Sequence, residues 1–147
     1  IYLEYLLKKQ IQKNLFNRAD ILVRKYSIEQ FLLNNNYDFS LYKKMQEKRS
    51  SAKNSEQFTK DFKNLIHSFK KGYNNNNPIN VNKNYELLNG SHRIACCIIN
   101  KINFVPISII DRNCAPDYSI EWFIKNKFNE QEIKIIQSEF NIIKKYN

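Results

Sequence analysis

Asn89-Gly90-Ser91-His92-Arg93 is the stretch of this sequence whose residue types and spacing could do chemistry. One of only two glycines in 147 residues stands between the apolar run Tyr85-Glu86-Leu87-Leu88 and a helix-like run, directly ahead of a hydroxyl, an imidazole and a guanidinium. A strand that ends in Gly90 and turns straight into a helix leaves the N–H groups of residues 91 to 93 without acceptors, which makes a seat for an anion. Glycine clears a Cβ from the path of a phosphate. Ser91 can cap the helix or bind a phosphate oxygen, and Arg93 can pair with phosphate in bidentate fashion. His92 can donate a hydrogen bond or move a proton. The same residues also fit a plain turn and cap beside a solvated His-Arg pair. A basic pair at the positive end of a helix dipole is unfavourable until an anion arrives, and that favours the phosphate seat.

The elements that must position this turn follow from periodicity. Leu3, Leu6, Leu7, Ile11 and Leu15 recur at helical spacing and predict a first amphipathic helix. Residues 19–26, ADILVRKY, are a short β-branched run that predicts a strand, and Ser27 with Gln30 has the spacing of a capping box opening a short helix to Leu33. Residues 34–55 carry few apolar side chains and a basic cluster at Lys43, Lys44, Lys48 and Arg49, which reads as a surface segment with a partial helix from Leu41 to Lys48. Phe58, Phe62, Leu65, Ile66 and Phe69 define a helix that starts at Ser55 and stops at Gly72. Strands are expected at 78–81 and 85–88, a helix at 93–101 and a last strand at 103–110. Ser119 can cap one further helix, and Asn129 with Glu132 can cap a final one whose Ile133, Ile136, Phe140 and Ile143 share a face. The fold class is therefore α+β, a small mixed sheet flanked by helices, in a single domain over residues 1–147.

Composition narrows the partners. Twenty-four Lys and Arg against fourteen Asp and Glu give a formal charge of +10, which favours anionic partners such as nucleotides, nucleic acid, phosphosugars or anionic membrane surfaces. Cys96, Cys97 and Cys114 have no CxxC spacing and an odd count, so they read as reduced thiols, the first two as core packing, and the protein as cytoplasmic. His67 and His92 have no partner at ligand spacing, and no metal site is expected. Apolar runs fall short of a membrane span. The chain begins at Ile1, and a piece of a longer polypeptide is the expectation.

Residues Phe62 to Ile110 resemble the core of the ParB and sulfiredoxin superfamily, with a helix, a glycine, the Pro78-Ile79 strand, a second strand, the G-x-x-R turn Gly90 to Arg93, a helix and the Val105-Pro106 strand. Residues 21–32, ILVRKYSIEQFL, resemble that fold's first strand and the segment after it, so the resemblance implies a core at about 20–110 with helical extensions at 1–17 and 118–147. It implies that Asn89, Gly90, Ser91, His92 and Arg93 hold the phosphates of a nucleotide, ATP or ADP, or CTP as in the partitioning proteins, together with Mg2+. Ser91 stands where sulfiredoxins carry their catalytic cysteine, which speaks against sulfinic-acid repair. His92 stands where the partitioning proteins carry an arginine, and no helix-turn-helix pattern follows. Members of the same fold that phosphorylate free serine use a glutamate near the first strand as general base, and Glu29 is the acid closest to that place. With His92 it forms the expected catalytic pair. The tail from Asp117 is similar to tails on ParB-like domains of bacterial surface-polysaccharide clusters, which implies association with a larger biosynthetic enzyme.

The expectation is thus an ATP- or ADP-dependent phosphotransferase, kinase-like, acting on a small hydroxylated or sugar-related substrate. A nucleic-acid-binding or nuclease-like domain using Lys43 to Arg49 ranks second, and a non-catalytic interaction domain third.

Overall fold

A computed structural model describes residues 1–13, 15–49 and 54–144. Parts of the segments expected above, at 14, 50–53 and 145–147, lie outside the described residues. The chain runs α1 (Leu3–Lys9), β1 (Ile11–Gln12), β2 (Leu15–Phe16), α2 (Ala19–Leu33), α3 (Ser40–Arg49), α4 (Ser55–Ser68), β3 (Ile79–Val81), β4 (Leu87–Asn89), α5 (Ser91–Ile99), β5 (Ile107–Ile109), α6 (Ile120–Lys125) and α7 (Glu130–Lys144). β3 is the middle strand of the larger sheet, antiparallel to β4 and parallel to β5, so the α+β class with a small mixed sheet holds. Among the described residues no helix is long and apolar enough to cross a membrane.

Several expectations are corrected. Residues 19–26 are helical, the first half of the fifteen-residue α2. Ala19, Ile21, Leu22, Val23, Ile28 and Phe31 are buried around most of its circumference, because α2 lies at the centre of the protein with α3, α5 and α7 packed against it. Burial on all sides erases the polar stripe that would mark the helix, and tertiary packing overrides the β preference of Ile21 and Val23. Ser27 is therefore interior to the helix, its hydroxyl donating to the Val23 carbonyl at 2.8 Å one turn back rather than opening a new helix. Another correction concerns the amino-terminal helix, which stops at Lys9. Ile11 and Leu15 belong to a two-stranded hairpin in which Ile11 pairs with Phe16.

The segment expected at the surface from 34 to 55 instead buries Phe39, Leu41, Tyr42 and Met45 in the core, its helix α3 packing against α2 and α4. Ser119 precedes α6 without a side-chain cap bond, whereas α4 and α7 match the pattern that predicted them. α4 buries Phe62 and Ile66, is capped by the Asn54 side chain accepting from Gln57 N at 3.0 Å, and is followed by a 3-10 turn that ends at Gly72 with φ 93°. α7 opens on the reciprocal cap, Asn129 N donating to Glu132 Oε1 and Glu132 N to Asn129 Oδ1, both at 2.8 Å. One buried cluster extends from Leu3 and Leu6 through Leu22, Phe62, Ile79 and Ile94 to Phe123 and Ile143. Cys96 and Cys97 lie in it, and burial pushes both thiols up to about 12, where they stay protonated.

Candidate anion-binding site

β4 ends at Asn89 and α5 begins at Ser91, so the whole reversal falls on Gly90, whose φ of 116° lies in the left-handed region. A Cβ at this position would sit 2.6 Å from Cδ1 of the fully buried Ile79. The glycine is thus required by its own backbone and by the core beneath it, a reason separate from the approach of any phosphate. The first helical bond, Ile94 N to Gly90 O at 2.9 Å, leaves the N–H groups of Ser91, His92 and Arg93 without helical acceptors. Ser91 is buried, and its side chain lines a cleft of about 300 Å³ together with Asn89 and His92.

The cleft is dominated by arginine. Arg18 and Arg24, at the start and on the second turn of α2, and Arg49 at the end of α3 line it, and no carboxylate does among the described residues. Behind its wall Asp20, fully buried, takes both Arg18 Nε and Nη2 at 2.9 Å and Arg24 Nη1 at 2.9 Å. Burial pushes the Asp20 carboxyl up, but the guanidiniums of Arg18 and Arg24 outweigh it and hold it well below the usual carboxylate range. Arg24 is lowered to about 10 by burial, against the pull of Asp20, and stays cationic at neutral pH. Gln46 accepts from Arg24 Nη2 at 3.2 Å and from Arg49 Nη1 at 3.0 Å, and Arg18 Nη1 donates to the Leu87 carbonyl at 2.7 Å. Arg49 and Arg18 both lie over the Tyr118 ring, their guanidinium carbons 4.4 and 5.6 Å from its centroid. Arg24 Nε and Arg49 Nε are buried without an acceptor among the described residues.

His92 forms the wall between this cleft and a neighbouring one that reaches Phe58, Asp61 and Arg93. Its Nε2 is 2.8 Å from the Tyr42 hydroxyl, and its ring meets those of Tyr42 and Phe62 edge-on. Burial, reinforced by the charges of Arg24 and Arg49, holds the imidazole well below its ordinary pKa, so it is neutral at pH 7. Burial likewise pushes Tyr42 up to about 12.

The expected site residues are thus only partly brought together. Asn89, Gly90, Ser91 and His92 meet at the start of α5. Arg93 lies on the same turn, but its Nη1 donates to the carbonyls of Asn77 at 2.6 Å and Pro78 at 2.9 Å and contacts the Tyr73 hydroxyl at 3.3 Å, tying the 73–78 loop to α5. Glu29 is directed elsewhere. It accepts from Lys25 Nζ at 2.9 Å, and the same buried ammonium reaches Glu139 of α7 at 2.6 Å, so Glu29 belongs to the α2–α7 contact. Among the described residues no group of three His, Cys, Asp or Glu side chains could hold a metal. Both oxygens of Asp20 are occupied by arginines, so the cleft does not fit a protein-held Mg2+.

No family model matches the chain, and neither the curated proteins nor the solved structures contain a significant match. Arg18, Arg24 and Asp20 are the site residues that periodicity missed. Asp20 and Arg24 are four apart, an ion-pair spacing on a helix that is invisible once residues 19–26 are taken as a strand.

Proposed function

We propose that the cleft at the start of α5 binds the phosphates of a nucleotide and that the protein is a kinase-like phosphotransferase acting on a small hydroxylated or sugar-related acceptor. The observation that carries this reading is the meeting of Arg18, Arg24 and Arg49 with Asn89, Ser91 and His92 at the start of α5 around a cleft lined by no carboxylate among the described residues. Phosphoryl transfer asks a protein chiefly for positioning and charge neutralisation, and guanidiniums fixed by Asp20, Gln46 and the Leu87 carbonyl supply both. Glu29 is held in the α2–α7 contact, and His92, kept neutral by burial beside Arg24 and Arg49, borders the cleft paired with the Tyr42 hydroxyl, so the reading rests on positioning and charge neutralisation rather than on a side-chain base. The free cysteines suit the reducing cytoplasm, where nucleotides are abundant.

The nucleic-acid alternative relied on Lys43 to Arg49 acting as one basic face. In the structure Lys43 pairs with Glu56 at 2.9 Å, Lys44 with Glu132 at 2.7 Å, and Arg49 turns inward to Gln46. The phosphate cleft is the better-supported use of the charge.

The experiment is a thermal shift with ATP, ADP and CTP, with and without magnesium. A ligand present at a hundred times its Kd stabilises by about 2.7 kcal/mol, a rise of several degrees for a domain of this size. No rise with any of the three removes the proposal.

A further inference from the structure

We infer that the arginine cleft, on the reading of it as a phosphate seat, selects a terminal phosphate monoester over phosphodiesters and sulfate esters. Among the described residues three guanidiniums stand against the single carboxylate of Asp20, which leaves two positive charges uncompensated around the cleft. The other polar groups facing it do not alter that balance. His92 from α5 and Tyr42 from α3 are uncharged at neutral pH. Asp117, next to Tyr118, accepts from Ser119 N at 3.1 Å, and Asp61 of α4 accepts from Gln57 Nε2 at 2.9 Å and lines the neighbouring cleft.

Uncompensated charge of this kind is costly where it is buried, and Arg24 is fully buried with its Nε lacking an acceptor among the described residues. A monoester dianion brings two negative charges and three terminal oxygens, enough to neutralise the excess and to engage several donors at once. A diester or a sulfate ester brings one charge and leaves the other unanswered. Phe58, Leu88 and Pro116 form part of the wall, and apolar lining strengthens the charge interaction by excluding water. At about 300 Å³ the cleft accommodates a phosphate with a small ring attached.

Calorimetry on the purified chain with phenyl phosphate, methyl phenyl phosphate and phenyl sulfate tests the charge rule while keeping the organic group nearly constant. At pH 7.5 phenyl phosphate is expected to bind at least tenfold more tightly than the other two. Its affinity is expected to fall as pH drops from 7.5 to 5, because the dianion takes up one proton near pH ~6 and becomes a monoanion while the arginines keep their charge. Phenyl sulfate stays flat over the same range. Arg49→Gln, at a side chain held only by Gln46 and Tyr118 among the described residues, removes one of the two excess charges and is expected to narrow the preference. Equal affinity for the three ligands, or a pH-independent preference, overturns the inference even if nucleotides bind. Nucleotide binding without phenyl phosphate binding also overturns it and leaves the proposed function standing. Silence of every ligand, nucleotides included, overturns both.

Discussion

A left-handed backbone at Gly90 disfavours any L side chain by about 1–2 kcal/mol before contacts are considered. Here the new methyl group would also meet Ile79 Cδ1 at 2.6 Å, and Ile79, fully buried, has little room to yield. Gly90→Ala is therefore expected to lower stability by more than backbone strain alone, read as a shift in urea midpoint with an unchanged m-value. His92 gives a second prediction, on pH. A histidine whose folded pKa is depressed binds its proton more readily in the unfolded chain, so the stabilisation from keeping it neutral is complete above about pH 6.5 and is lost as pH falls below that value. Melting temperatures of the native protein should decline from pH 6.5 toward 5, and His92→Gln should flatten that slope. An unchanged slope in the variant would place the effect elsewhere. The turn from Asn89 to His92 was visible in the sequence because a rare glycine ahead of polar side chains is a local signal. The part Arg93 plays was not, since its acceptors are carbonyls fifteen and sixteen residues back, and loop carbonyls carry no signature in a sequence.

Elements were legible in proportion to how much of their surface meets water. α4 and α7 each keep a polar face, so their apolar residues fall at helical spacing and their ends carry caps. α2 has no such contrast, and its β-branched residues imitate a strand. The site went partly unread for the same reason, because Arg24 points into the cleft only if residues 19–33 are helical. The cap of α7 offers a test at this scale. Asn129 and Glu132 each accept from the other's N–H, so Asn129→Ala should cost about 1 kcal/mol by loss of the cap. The residue is exposed at its helix end, and chemical denaturation should show that loss with no change in ligand response. A loss several times larger would mean that docking of α7 through Lys25 and Glu139 depends on the cap as well.

At the scale of the whole molecule, the charge of +10 sets a conflict between stability and binding. Most of that charge is exposed and screened, and simple salt should relieve its self-repulsion with a smooth, modest rise in melting temperature. The arginines of the cleft are different, since Arg18 and Arg24 are buried and held in place whether or not an anion is present. Their repulsion is relieved only by an anion that enters the cleft. Inorganic phosphate should therefore raise the melting temperature well beyond sodium chloride at matched ionic strength, and the excess should saturate as binding does. Arg49→Gln should shift the two quantities in opposite directions, raising stability without ligand while shrinking the phosphate-specific excess, the trade expected where a binding site stores unfavourable charge. Matched responses to phosphate and chloride in both proteins would show that the cleft charge is already compensated within the fold.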